Sequence, residues 1–175
     1  MNYFFFVQGI DFLGWIMLIL SYYRKNENEI LLFQIMATIL FVIHYYLLGA
    51  YTGVFVCLFE VFRDYLYYKS DKDRIFFCLL IPMQMLFLFF SYRTLCDLLP
   101  IVSSLIDGYT LTFERKVIVL GGIFSYFLWI VYDLSVGSYV GAVMDLILVL
   151  SNFGILFFQK SIISQIFSRS IFPKK

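Results

Sequence analysis

The chain reads as an all-α membrane protein with seven transmembrane helices. They form two parallel three-helix bundles joined by a linker helix, with the N-terminus out and the C-terminus in. Three observations predict this. First, the 175 residues are 62% hydrophobic and 14% charged, with mean hydropathy +0.89, whereas soluble domains sit near half apolar and a quarter charged. A chain this small cannot hide so much apolar surface from water, so lipid must solvate it. Second, the basic residues segregate to one side. Third, a glycine corner between two apolar runs occurs twice.

A hydrocarbon core about 30 Å thick needs roughly 17–25 apolar residues per helix, and seven stretches qualify. The first, near 3–23, opens MNYFFFVQGIDFLGW. It has no basic leader and no small-residue cleavage site, and it carries Gln8 and Asp11 inside the apolar run. It is expected to be a retained helix and not a signal peptide. The second and third, near 30–48 and 52–68, meet at the short uncharged turn LLGAYTG, as a tight helix hairpin requires. The polar segment YYKSDKDR leads to the fourth, near 75–92. The fifth, near 95–113, is the least apolar, with Pro100, Ser103, Ser104 and Asp107. The sixth and seventh, near 117–134 and 139–158, meet at LSVGSYVG. The tail SIISQIFSRSIFPKK spaces Ile162, Ile163, Ile166 and Phe167 helically among basic and polar residues, which suits the anionic inner leaflet.

Charge supports the count. Seven spans put Arg24, Lys25, Arg63, Lys69, Lys72, Arg74, Arg115, Lys116, Lys160, Arg169, Lys174 and Lys175 on one side and Arg93 alone on the other. Basic residues accumulate in the cytoplasm, so the N-terminus is expected outside. Omitting the fifth span would break this asymmetry.

A shift of 88 superposes the two hairpins. Gly49 falls on Gly137, Tyr51 on Tyr139, Gly53 on Gly141, Leu58 on Leu146 and Val61 on Val149, with Leu40 on Leu128 just before. The second and third spans therefore match the sixth and seventh. The fifth then matches the first, and the fourth is a lone linker. An odd number of linking spans gives both triplets the same orientation, as parallel repeats about an axis along the membrane normal. The expected organisation is a first repeat over 1–70, a linker over 71–93, a second repeat over 94–159 and a basic amphipathic tail over 160–175.

This three-one-three layout resembles the SWEET and PQ-loop (MtN3-like) superfamily. At finer grain HYYLLGAYTG, FRDY, Leu99-Pro100 and the late SNFGIL resemble the YgjV-type bacterial inner membrane proteins over most of the chain. The finer resemblance implies a multi-pass protein of the bacterial inner (plasma) membrane. The broader one implies alternating-access movement of a small polar solute of the sugar, vitamin or nucleoside class. Pro100 occupies a place similar to the superfamily's proline hinge, while the matching position of the first repeat is Phe12.

Carboxylates inside a bilayer cost about 2.5–3.5 kcal/mol each on insertion scales, so Asp11, Glu60, Asp107 and Asp145 call for a reason. Glu60 and Asp64 share a helix face, as do Asp145 and Asn152. Arg63 is expected to snorkel to the cytoplasmic boundary or pair with Asp64. The superfamily resemblance implies solute contact for Glu60, Asp64, Asp145 and Asn152; inter-helix hydrogen bonding, worth about 0.6–2 kcal/mol per contact, is the other reading. Asp11 with Trp15 lies at a depth equivalent to Ser103, Ser104 and Asp107. Trp15 and Trp129 either stack on a solute ring or pack the core. Ser103 and Ser104 either face solute or satisfy the carbonyl freed by Pro100. His44, with Asp107, is a candidate proton relay, or else a neutral histidine hydrogen-bonded near the interface.

One histidine and three scattered cysteines, Cys57, Cys78 and Cys96, offer no metal cluster. They read as small apolar packing residues. There is no phosphate loop, nucleophile elbow or HExxH, so neither a cofactor nor enzymatic activity is expected. A net charge of +1 gives no footprint for nucleic acid. The expected partners are the bilayer and a small polar solute. One chain holds both triplets, so a monomer suffices; a homodimer is the other possibility. The alternative function is a non-transporting accessory subunit or receptor on the same scaffold.

Overall fold

The computed structural model describes residues 2–24, 26–69, 82–86, 89–110, 113 and 115–171. Among them are six α-helices: α1 (Asn2–Tyr22), α2 (Glu27–Leu48), α3 (Tyr51–Lys69), α4 (Leu98–Thr110), α5 (Arg115–Val136) and α6 (Tyr139–Ile171). Residues 82–86 and 89–91 are also helical; the rest of the expected linker over 71–93 lies outside the described residues, apart from 92 and 93. A 3-10 turn, Leu95–Asp97, leads into α4. Two helical stretches, Asn2–Ser21 and Lys116–Val136, are long and apolar enough to cross a membrane by length and composition. Leu32–Leu48 and Tyr139–Gly154 are shorter apolar stretches. The other elements are diluted by polar residues that face inward, such as Glu60 and Arg63 on α3, and α4 has only 13 residues. No break separates the seventh span from the tail: α6 is continuous to Ile171.

Each helix packs on its chain neighbours and α1 closes against α6, so the six form a ring. The 82–91 segment flanks α3 and α4, where Gln84 Nε2 donates to Ser104 Oγ at 2.8 Å and the Thr52 hydroxyl donates to Ser91 Oγ at 3.0 Å. The outer surface carries large apolar side chains, among them Phe5, Phe6, Phe124 and Leu150, while Asp11, His44, Asp133, Ser103 and Ser125 are buried. Apolar outside and polar inside is the distribution a hydrocarbon solvent selects.

The two corners have one construction. Gly49 (φ 71°) and Gly137 (φ 82°) hold the only positive φ values among the described residues. Just past each glycine, a backbone N–H reaches back five residues. Ala50 donates to the Tyr45 carbonyl at 2.9 Å and Ser138 to the Asp133 carbonyl at 2.8 Å. This is the Schellman ending, in which a left-handed glycine lets the chain turn back on the last carbonyls. Both corners lie at the end of the ring that holds the start of α1: the Tyr3 hydroxyl donates to the Leu47 carbonyl, and Phe4 packs on Tyr139. We call this the corner end.

Pro100 is the third residue of α4, after the 3-10 turn. First-turn amides have no intrahelical acceptor, so a proline there costs no hydrogen bond. Asp97 anchors the entry, its Oδ2 accepting from the Arg93 and Thr94 amides at 2.9 and 2.7 Å. The residue expected as a hinge therefore starts this helix and does not interrupt it.

Candidate functional site

All six helices surround one cavity of about 260 Å³. From α1 come Asp11, Trp15 and Leu18; from α2, Gln34, Ile35, Thr38, Phe41 and Tyr45; from α3, Cys57, Glu60, Val61 and Arg63. The other half contributes Asp107 from α4, Tyr126, Trp129 and Asp133 from α5, and Gly141 and Asp145 from α6. Four pairs of lining positions are 88 residues apart: Thr38 and Tyr126, Phe41 and Trp129, Tyr45 and Asp133, Cys57 and Asp145. Both halves thus present the same helix faces to the cavity while differing in chemistry.

Tyr45 and Asp133 meet in its wall, where the Tyr45 hydroxyl donates to Asp133 Oδ1 at 2.8 Å. The Tyr45 ring stacks on Trp129, centroids 5.8 Å apart, and Trp15 leans on Phe41 at 5.4 Å. Gly53 and Gly141 let α3 and α6 approach. A Cβ at Gly53 would stand 2.8 Å from the Tyr45 ring, and one at Gly141 would run into the Asp133 carboxylate. Each hairpin therefore seats residue 45 or 133 on the glycine eight positions later.

The corner end is closed by polar contacts between the halves. Gln8 donates to the Gly137 carbonyl at 2.8 Å and accepts from the Val140 amide at 3.0 Å, so α1 caps the second corner. The Gly53 amide donates to the Tyr132 hydroxyl at 2.9 Å. His44 is fully buried. Its Nδ1 lies 3.0 Å from the Val7 carbonyl, an acceptor only, so that nitrogen carries a proton. Its Nε2 is 2.9 Å from Ser138 Oγ and 3.6 Å from Asp11 Oδ2, and Ser138 Oγ lies 3.3 Å from the same carboxylate oxygen. His44 occupies position 44 of the first half and Tyr132 the position 88 later, and each reaches into the other half's corner.

Away from the corner, hydrogen bonds tie α3 to α4 and α4 to α5. Arg63 Nη1 donates to the Ser104 carbonyl at 3.0 Å and Oγ at 3.3 Å. Arg63 is buried and lines the cavity, so it does not snorkel outward: its guanidinium donates to α4 inside the protein. Ser103 bonds with Ser125, whose hydroxyl also donates to Asp107 Oδ2. Ser103 and Ser104 thus serve neighbouring helices and do not satisfy the carbonyl freed by Pro100.

The cavity brings together six of the expected residues: Asp11, Trp15, Glu60, Asp107, Trp129 and Asp145. Ser103, Pro100 and His44 are buried outside its lining; His44 adjoins it through Asp11. Asn152 is half-buried, with its Nδ2 3.1 Å from where a Gly122 Cβ would stand, so it faces α5. The Asp64 side chain and the tail beyond 160 lie outside the described side chains. Sequence reasoning singled out neither Asp133, which fell inside the span near 117–134, nor Tyr45 as a site residue. The signal was present: the shift of 88 that aligns the glycines also aligns Tyr45 with Asp133. Among the described residues no group of three His, Cys, Asp or Glu is placed to hold a metal ion.

A family model described as bacterial inner membrane protein, Imp-YgjV, matches residues 5–160. Comparison with curated proteins and with solved structures gives no match.

Proposed function

The chain belongs to the Imp-YgjV family of bacterial inner membrane proteins, and from that premise we propose that it carries a small polar solute across that membrane. The single observation behind this reading is the polar, aromatic-walled cavity of about 260 Å³ at the centre of a ring built from all six helices. Each of the five carboxylates around this volume costs insertion energy, which inter-helix hydrogen bonds such as those to Asp133 and Asp107 offset only in part. A binding volume does use them.

The reading includes the resemblance to SWEET and PQ-loop carriers. It takes α1–α3 and α4–α6 as parallel repeats, the segment over 71–93 as the linker, the corners as external and Arg24, Arg115 and Lys116 as cytoplasmic. The four pairs of cavity positions 88 apart and the matching Schellman corners support it. In this arrangement α1 and α2 are tied to α5 and α6 by the hydrogen bonds of Gln8, His44 and Tyr45 at or near the corner end. Leu18, Gln34, Ile35 and Val61 extend the cavity toward the opposite end. That is one state of an alternating-access cycle, in which the corner contacts break as the far end closes.

The test is flux. Purified protein in liposomes is expected to exchange a labelled sugar, vitamin or nucleoside, with the rate falling in Glu60→Gln and Asp145→Asn. A flat response across all three classes, with a stoichiometric protein partner co-purifying, would favour the accessory-subunit alternative.

A further inference from the structure

We propose that His44, Ser138 and Asp11 form a one-proton latch: closing the corner end takes up a proton, and opening it releases one to water. This deepens the carrier reading above and rests on it for the opening of that end. His44 and Ser138 are fully buried and Asp11 is 2% exposed. Together they join α1 and α2 to the second corner through three contacts. His44 Nδ1 meets the Val7 carbonyl at 3.0 Å, His44 Nε2 meets Ser138 Oγ at 2.9 Å, and Ser138 Oγ meets Asp11 Oδ2 at 3.3 Å. Each contact needs one proton between its two heavy atoms. The serine hydroxyl supplies one, so the imidazole and the carboxyl must hold two between them.

Two arrangements meet that requirement. In one, an imidazolium Nε2–H donates to Ser138, which donates to the Asp11 carboxylate. In the other, a protonated Asp11 donates to Ser138, which donates to a neutral imidazole. Both carry the same number of protons, so the count holds whichever form burial favours. Remove one proton and a single hydroxyl hydrogen is left for two acceptors, the imidazole Nε2 and the carboxylate. Moving the ring proton from Nδ1 to Nε2 only transfers the gap to the Val7 carbonyl. An unmade hydrogen bond in a buried site is unfavourable, whereas water satisfies all three residues once the corner opens. The closed end therefore holds one proton more than the open end above about pH 6.5, below which a hydrated histidine is protonated in either state. Raising the pH favours the open corner and lowering it favours the closed one. Neighbouring groups set the midpoint and not the number. Tyr45 of α2 meets the His44 ring edge to face at 5.2 Å. Asp133 of α5 lies beside Ser138 without hydrogen-bond geometry. Asp145 of α6 and Cys57 of α3 feel the charge of Asp11, and Trp15 and the Gly141 amide face Asp11 directly.

Asp11 and Cys57 line the same cavity, so Cys57 reports which end is open without the solute being known. In a Cys78→Ser/Cys96→Ser background, liposomes of opposite sidedness are treated with one membrane-impermeant thiol reagent, at equal pH on both faces. The ratio of corner-side to far-side rates cancels the ionisation of the thiol itself. With His44, Ser138 and Asp11 intact, that ratio should rise with pH from about 6.5, by up to about tenfold per pH unit, the limit for one proton. Asp11→Asn completes all three contacts without the extra proton, because its amide N–H donates to Ser138 at every pH, so its ratio should stay low and flat. Should that variant fail to fold, the nitrogen-15 spectrum of the chain's only histidine takes its place: Nδ1 should be protonated wherever Cys57 shows the corner closed. A ratio that is flat or falls as pH rises, a slope unchanged by Asp11→Asn, or a bare Nδ1 in the closed state would overturn the latch. The two readings fail separately. Switching by pH with no flux of any solute removes the carrier and keeps the latch. Flux with a flat ratio removes the latch and keeps the carrier.

Discussion

Tyr45 donates a hydrogen bond to Asp133, the residue 88 positions later that occupies its own place in the second hairpin. Two residues related by a two-fold axis can touch each other only on that axis. In the proposed repeat arrangement this contact marks where the two-fold axis passes, and it lies in the cavity wall. Strict symmetry would place like beside like there. An aromatic donor facing a carboxylate acceptor makes the pair complementary and gives the cavity two unlike walls.

Tyr45→Phe should destabilise the folded protein by about 1–3 kcal/mol, since Asp133 loses its one good donor and both of its oxygens are then left open in a buried site. Unfolding in mixed micelles, followed by tryptophan fluorescence, measures this. Combined with Asp133→Leu, the loss should be well short of additive, because the second change removes the group that the first stranded. Additive losses would mean that the two side chains do not depend on each other.

The glycines make a graded series. Gly53→Ala places a methyl 2.8 Å from the Tyr45 ring, and Gly141→Ala drives one into the Asp133 carboxylate. Each should cost about 1–3 kcal/mol, the range for overpacking a close-packed site. At Gly49 and Gly137 there is open space around an added Cβ, but φ is positive, so alanine there should cost on the order of 1 kcal/mol through backbone strain alone. Gly9 has open space and an ordinary helical φ; Gly9→Ala should be neutral or stabilising. Thermal unfolding of the five variants tests the order.

Much of this was legible in the sequence, and the limit is physical. Hydropathy located the helices because lipid demands long apolar runs, and the two corners announced themselves because only glycine takes a left-handed turn cheaply. The carboxylates Asp11, Glu60, Asp107 and Asp145 stood out because charge in an apolar run is costly. Direction was harder to read. Arg63 looked like a boundary residue because a basic group near a helix end usually snorkels, and only the packing of α3 on α4 shows its guanidinium turned inward to Ser104. Asp133 did not stand out because it lies at the end of its apolar span, beside Leu134-Ser135-Val136-Gly137, yet α5 continues to Val136 and keeps it buried. Pro100 read as a breaker because a sequence does not disclose that a 3-10 turn precedes it.

The two cavity tryptophans should part company on substitution. Trp15→Phe removes an indole N–H that the fold leaves without a partner, so stability should change little, within about 1 kcal/mol, while ligand affinity falls. Trp129 stacks on Tyr45 and meets Tyr132 edge to face at 5.7 Å. Trp129→Ala should therefore lose about 3–5 kcal/mol of stability, as for a large core truncation. Comparing unfolding with flux or Cys57 protection separates the two roles, and equal stability losses would contradict this assignment.

The corner end gives the sharpest test of alternating access. Gln8 holds both a carbonyl and an amide of the second corner, and Ser138 joins His44 to Asp11 there. Gln8→Ala combined with Ser138→Ala removes these ties without touching α3, α4 or the far end of the cavity. The expected result is a protein less stable by about 1–3 kcal/mol in which Cys57, otherwise reached by a membrane-impermeant thiol reagent from one face of the vesicle, becomes reachable from the other. Vesicles of opposite sidedness read this directly. If the corner contacts are only packing, stability will fall while the side of access stays where it was. If they form the gate, access will switch sides, because releasing the closed end is what allows the ring to open there.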